Sequence, residues 1–160
     1  MKASAKVAEF LSRPDEEGDR LTMYQDQHGC PTIGVGHLLT KNELYSGKVL
    51  IGGEYVLWHQ GITEEQSLAL MMQDIRPAEA MVDACLKVAV SQNQFDALVI
   101  FTFNVGIGAF TRSTLLRVLN EGEYGHVPDE LRKWVYVAGK VSKGLERRRE
   151  GEIAIWEGKA

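Results

Sequence analysis

The sequence predicts an α+β fold, with a small β-hairpin or sheet lobe and a larger all-helical lobe. Three observations carry that expectation. Residues 20–36 alternate apolar and polar positions around a turn-rich centre. From Thr63 onward, apolar residues recur at helical spacing almost to the end. The chain has 160 residues and is 44% hydrophobic, enough to bury a sizeable core without disulfides or metals.

Residues 4–13 read as a helix that Ser4 can cap, with Val7, Phe10 and Leu11 on one face and Pro14 ending or bending it. In RLTMYQDQHGCPTIGVG, Leu21, Met23, Ile33 and Val35 alternate with polar or small residues, and Asp26–Gly29 suit a turn. This is a β-hairpin with its tip near 26–30. The Gly/Tyr-rich stretch 44–61 adds a third strand or a loop. Thr63 with Gln66 forms a capping box, followed by Leu68, Met71, Met72 and Ile75 at helix spacing. Pro77 then starts or kinks a second helical segment that runs to about Val88. Ser91 with Gln94 is another capping box and opens a strongly apolar helix, FDALVIFTFNV, which Gly106 and Gly108 end. Helices at 112–120, near 128–136 and at about 145–157 complete the chain. One domain, 1–160, results. Its sheet lobe is about 15–62, its connecting helix about 63–76, and its helical lobe about 78–160 with the N-terminal helix 4–13. A cleft between two such lobes is a natural ligand site.

Charge and cysteine content narrow the function. Eighteen basic and 22 acidic residues leave a net charge of −4, which argues against a nucleic-acid binder. The charge is uneven. Asp15, Glu16, Glu17 and Asp19 cluster near the start, and Arg132, Lys133, Lys140, Lys143 and Arg147–Arg149 crowd the end. These are either two solvated faces or, at the basic end, a surface for an anionic polymer. Cys30 and Cys85 have no metal-site spacing, so no metal is expected, and two free thiols are expected, with a single bridge between them as the alternative. The N-terminus lacks the apolar run of a signal peptide, and no window reaches the roughly 18 apolar residues of a membrane span. The expectation is a soluble monomer with no membrane insertion and no cofactor.

The most informative stretch is EGDRLTMYQDQHGCPTIGVGH, residues 17–37. Glu17, Asp26 and Thr32 are separated by eight and then five residues. A hairpin tip beside a helix end can hold two carboxylates across a groove, the geometry of glycosidic cleavage. One protonated carboxyl donates to the leaving oxygen, while one carboxylate activates water or attacks carbon. Acidic neighbours raise the pKa of Glu17, and an exposed polar turn keeps Asp26 ionised. The ordinary alternative is that Asp26 is only turn chemistry.

The same segment closely resembles the catalytic signature of phage lysozymes and endolysins of glycoside hydrolase family 24. It has Glu17, Gly18, Arg20, Leu21, Tyr24, Asp26, Gly29, Thr32, Ile33, Gly34, Gly36 and His37 at that pattern's fixed positions. Residues 95–116 and 144–152 are also similar to the family, so the likeness covers most of the chain in order. The resemblance implies a lysozyme-like fold and a muramidase cleaving the β-1,4 bond between N-acetylmuramic acid and N-acetylglucosamine. It implies Glu17 as general acid and Asp26 as the group that positions and deprotonates water. Thr32 holds that water or lines the face beneath the sugar. It further implies inversion, with carboxylates roughly 6.5–9.5 Å apart. Asn104 corresponds to a polar residue that binds sugar or the Glu17 carboxyl, unless it merely ends its helix. Arg148 falls where an arginine pairs with the acid, although Arg147 or Arg149 fits that place equally. His37 and Asp74 correspond to a structural ion pair. His28, His59 and His126 show no ligand spacing. Pro14 and the acidic net charge depart from the pattern.

The partner implied is peptidoglycan glycan strands. Synthesis in the host cytoplasm and action at the periplasm or cell wall would require a membrane-permeabilising partner such as a holin; a tail-associated or bacterial role is equally compatible. Two other readings are a non-catalytic peptidoglycan-binding module and a lytic transglycosylase, which needs one glutamate and makes Asp26 superfluous.

Overall fold

The computed structural model describes residues 1–13, 20–26 and 28–160. Glu17, Glu16 and Pro14 lie outside the described residues. The chain divides into two compact units, Ala8–Arg76 and Met1–Val7 with Pro77–Ala160. Helix α1 (Ala5–Leu11) is shorter than the predicted 4–13 and buries Val7, Phe10 and Leu11. Ser4 precedes it, and its hydroxyl accepts from Lys6 N–H at 3.3 Å.

In the unit Ala8–Arg76, β1 (Arg20–Gln25), β2 (Pro31–Gly34) and β3 (His37–Leu38) form an antiparallel sheet in that order. Tyr24 pairs with Thr32 and Gln25 with Pro31, while the register shifts towards Arg20↔Gly34. The predicted hairpin is therefore present with its tip at 26–30. Ile33 and Val35 face inward, but Met23 is exposed.

The stretch 44–61 is neither a third strand nor a loop. Helix α2 (Lys41–Ser46) starts on a capping box between Thr40 and Glu43 and ends at Gly47, whose φ is 72°. Strands β4 (Lys48–Ile51) and β5 (Glu54–Leu57) then make a separate hairpin. Its two-residue turn is Gly52–Gly53, both at positive φ, the conformation such a tight turn demands. Val49 and Ile51 point into a core with Ile33, Leu39, Trp58, Ile62 and Leu70. Trp58 satisfies its indole by donating to Glu43 O at 2.7 Å.

Helix α3 (Glu64–Cys85) begins at the predicted Thr63–Gln66 capping box and runs unbroken through Pro77. A new helical start at Pro77, one of the two expectations, is thus corrected. Proline removes one helical N–H, but Ile75, Ala78 and Val82 are buried on both sides of it. That packing outweighs the local cost.

In the unit Met1–Val7 with Pro77–Ala160, α4 (Gln92–Val105) opens on the Ser91–Gln94 capping box and buries every residue from Phe95 to Thr102. Buried Asp96 accepts from Ser4 N–H at 2.9 Å, from the Ser4 hydroxyl, and from Gln92 Nε2 at 2.8 Å. Gly106 ends α4, whereas Gly108 belongs to α5 (Ile107–Thr111). Helices α6 (Thr114–Asn120) and α7 (Val127–Arg132) follow. The segment expected to be helical up to 136 instead becomes a hairpin of β6 (Tyr136–Val137) and β7 (Lys140–Val141), turned by Ala138 and Gly139 at positive φ. Helix α8 (Lys143–Trp156) packs along α4. Fully burying each Leu, Ile or Phe there stabilises the unit by about 1.5–3 kcal/mol.

Candidate active site

At the hairpin tip the chain must reverse, and Asp26 is the residue that organises the reversal. Its Oδ1 accepts from His28 N–H at 2.8 Å and Cys30 N–H at 2.9 Å. Its own N–H donates to Cys30 O, and Gly29 N–H donates to Asp26 O, both at 2.9 Å. The carboxylate is therefore clamped through one oxygen. Among the described residues, Oδ2 has no hydrogen-bond donor. The Cys30 N–H bond lowers the Asp26 pKa most. Slight desolvation opposes it, and the His28 N–H and charge add to the lowering. Asp26 is thus a stable anion, as its polar turn predicts, with one oxygen uncommitted among the described residues.

Thr32, opposite Tyr24 on β2, is 1% exposed. Its hydroxyl donates to Cys30 O at 2.9 Å. The Cys30 peptide is consequently held by Thr32 through its carbonyl, while its N–H holds Asp26. Sequence spacing had linked Asp26 and Thr32 but not the main chain between them.

Asn104 lies in the last turn of α4, exposed, and its Oδ1 accepts from Arg149 Nη2. Arg149 is 1% exposed. It also donates to Trp134 O at 3.1 Å and Glu152 Oε1 at 2.8 Å, with its guanidinium 5.0 Å from the Phe101 ring centroid. Arg148, also buried, donates to Glu152 Oε2 at 3.4 Å and Ile100 O at 3.5 Å. Of the three consecutive arginines, Arg149 is the one seen to orient Asn104. The expected pairing of one of them with Glu17 falls outside the described residues.

His37 makes the expected bond to Asp74, Nδ1 to Oδ2 at 2.8 Å, and an unexpected one to Glu43, Nε2 to Oε1 at 2.9 Å. Burial opposes its charge, but the hydrogen bonds and charges of Asp74 and Glu43 outweigh that and raise its pKa to about 9. Glu43 was findable, because Thr40-x-x-Glu43 is a capping box and places that carboxylate at a helix start. His59 stacks on Trp58 at 3.7 Å, and His126 is exposed. Among the described residues no His/Cys/Asp/Glu group could hold a metal, both cysteines are free, and no helix is long and apolar enough to cross a membrane.

Comparison with known proteins places this geometry in context. Residues 14–152 match the phage lysozyme family. The endolysin of Salmonella phage P22 is 40% identical over 141 residues, which is 88% of this chain and 89% of that protein. The structure of the endolysin from Escherichia coli O157:H7 phage FAHEc1 is similar with a TM-score of 0.81 at 32% identity, covering 100% of this chain and 96% of that one. The muramidase domain of SpmX from Asticaccaulis excentricus is similar with a TM-score of 0.75 at 31% identity, covering 97% of both.

Proposed function

The chain belongs to the phage lysozyme family, and from that premise we propose that it hydrolyses the β-1,4 bond between N-acetylmuramic acid and N-acetylglucosamine in peptidoglycan. The observation that carries the reading is Asp26: an ionised carboxylate clamped by two N–H groups through Oδ1, with Oδ2 uncommitted among the described residues. Such a group holds a water molecule and takes its proton without moving. The water oxygen bonds to the anomeric carbon as the glycosidic C–O bond breaks. The leaving oxygen takes a proton from Glu17, which the sequence pattern assigns as the general acid. Inversion follows from water attacking opposite the leaving group.

Thr32 supports the base through Cys30. Asn104 presents its amide N–H groups to sugar while Arg149 holds its oxygen. The family pattern gives the acid an arginine partner, and Arg147, Arg148 and Arg149 are the candidates for it. The enzyme acts as a monomer on glycan strands at the cell wall, reached through a holin-type partner from the cytoplasm in which it is made.

Digestion of purified sacculi tests this reading. Wild type should release water-added fragments with new reducing ends, Glu17→Gln should release none, and Asp26→Asn should release them far more slowly. Anhydro products from wild type would make it a transglycosylase. Wall binding without new ends would make it a binding module.

A further inference from the structure

A cavity of about 680 Å³ opens in the unit containing Pro77–Ala160. It shares no residue with the Asp26 hairpin or the Asn104–Arg149 pair. Its walls are the end of α3, the α5–α6 junction and the C-terminal half of α6. Two polar side chains of its wall, Asn120 and Ser113, hold it together. Asn120 donates to Cys85 O at 3.0 Å and accepts from Lys87 N–H at 2.8 Å. The Ser113 hydroxyl donates to Phe110 O at 2.7 Å and caps α6 through Leu116 N–H.

The charges are different. Three cations, Lys87, Arg112 and Arg117, line the cavity with one carboxylate, Glu121. Glu121 pairs with Arg117 at 2.9 Å in an exposed ion pair of the kind that adds little stability. Neither Lys87 nor Arg112 has a carboxylate partner among the described residues. The Arg112 side chain runs back past Gly108, one turn earlier, where a Cβ would sit 3.3 Å from its Nη1. Thr114 and Leu116 complete the lining. The groove is open to solvent and wider than a bare ion needs. Guanidinium and ammonium groups lining one groove favour an oxyanion. On a chain of net charge −4, such a local excess of cations is how an anionic polymer can be met.

We propose that this cavity binds an oxyanion carried on the cell wall, a carboxylate or a phosphate, and so tethers the enzyme to its polymeric substrate; the tethering role rests on the hydrolase reading above. Two probes separate the sources: N-acetyl-D-alanyl-D-alanine for a peptide carboxylate and glycerol 3-phosphate for a phosphate. Each is titrated at millimolar concentration while NMR follows the Arg112 Nε–H and Thr114 amide signals. One probe should saturate at these signals, and a Lys87→Gln/Arg112→Gln variant should abolish the response while Arg112→Lys keeps part of it. Shifts with neither probe, or shifts that survive in the double variant, overturn the site. On sacculi the double variant should raise KM about five- to tenfold at constant kcat. Its hydrolysis of peptide-free glycan should match wild type, and an unchanged KM on sacculi would overturn the tether. A wild type that cleaves neither substrate defeats the hydrolase reading, while the titration still decides the cavity.

Discussion

His37 sits between two carboxylates, with Asp74 Oδ2 2.8 Å from Nδ1 and Glu43 Oε1 2.9 Å from Nε2. Both ring nitrogens therefore donate, and the imidazole is held as a cation. Its pKa rises from 6.5 to about 9. A group whose native pKa is raised contributes stability fully below its unfolded value and loses it as pH rises through the native one. The stabilisation, on the order of 2–3 kcal/mol, should thus be complete below about pH 6.5 and gone above about pH 9. Thermal unfolding of wild type and His37→Asn across that range checks this. The Tm gap should close with rising pH, and parallel profiles would remove the doubly bonded cation.

The Asp26 carboxylate should set the acid limb of kcat/KM. Because its pKa lies below the ordinary 3.8, that limb should fall below pH 3.8. Asp26→Asn should lower kcat about 10²–10⁴-fold with an unchanged circular dichroism spectrum. An acid limb well above 4 in a stable protein would assign the base elsewhere.

Thr32→Val keeps the shape of the side chain but deletes its bond to Cys30 O. We expect a stability loss of about 1 kcal/mol by urea unfolding. The larger effect should be on kcat, because the deleted bond steadies the peptide that clamps Asp26. Thr32→Ser should restore both. A variant with wild-type kcat would limit Thr32 to packing.

Arg149→Met should destabilise by about 3–5 kcal/mol, since it strips a direct partner from buried Glu152. Asn104→Ala should leave stability within about 1 kcal/mol of wild type and raise KM, because Asn104 is exposed and its loss costs Arg149 one of several bonds. Equal stability losses in the two variants would contradict this division.

What could be read from residues alone followed local chemistry. Asp26–Gly29 announced a reversal, and the boxes at Thr63 and Ser91 fixed two helix starts. The same rules applied to Thr40–Glu43 and Gly52–Gly53 would have found α2 and the β4–β5 hairpin, which the Gly/Tyr-rich composition obscured. Two features were not legible. Continuity through Pro77 depends on burial on both flanks, which is tertiary information. Consecutive arginines on α8 point about 100° apart, so spacing alone could not say that Arg149 meets Asn104.

The first residues of the chain are built into a unit whose remainder starts at Pro77. The amine of Met1 bonds Asp83, Ser4 bonds Asp96, and Lys6 Nζ reaches both Asn93 and the carbonyl of Ala160. Residues 1–7 are thus anchored mainly on α3 and α4, not on the residues that directly follow them in sequence. An Asp83→Ala/Asp96→Ala variant should therefore expose this segment to proteases while residues 8–76 stay protected.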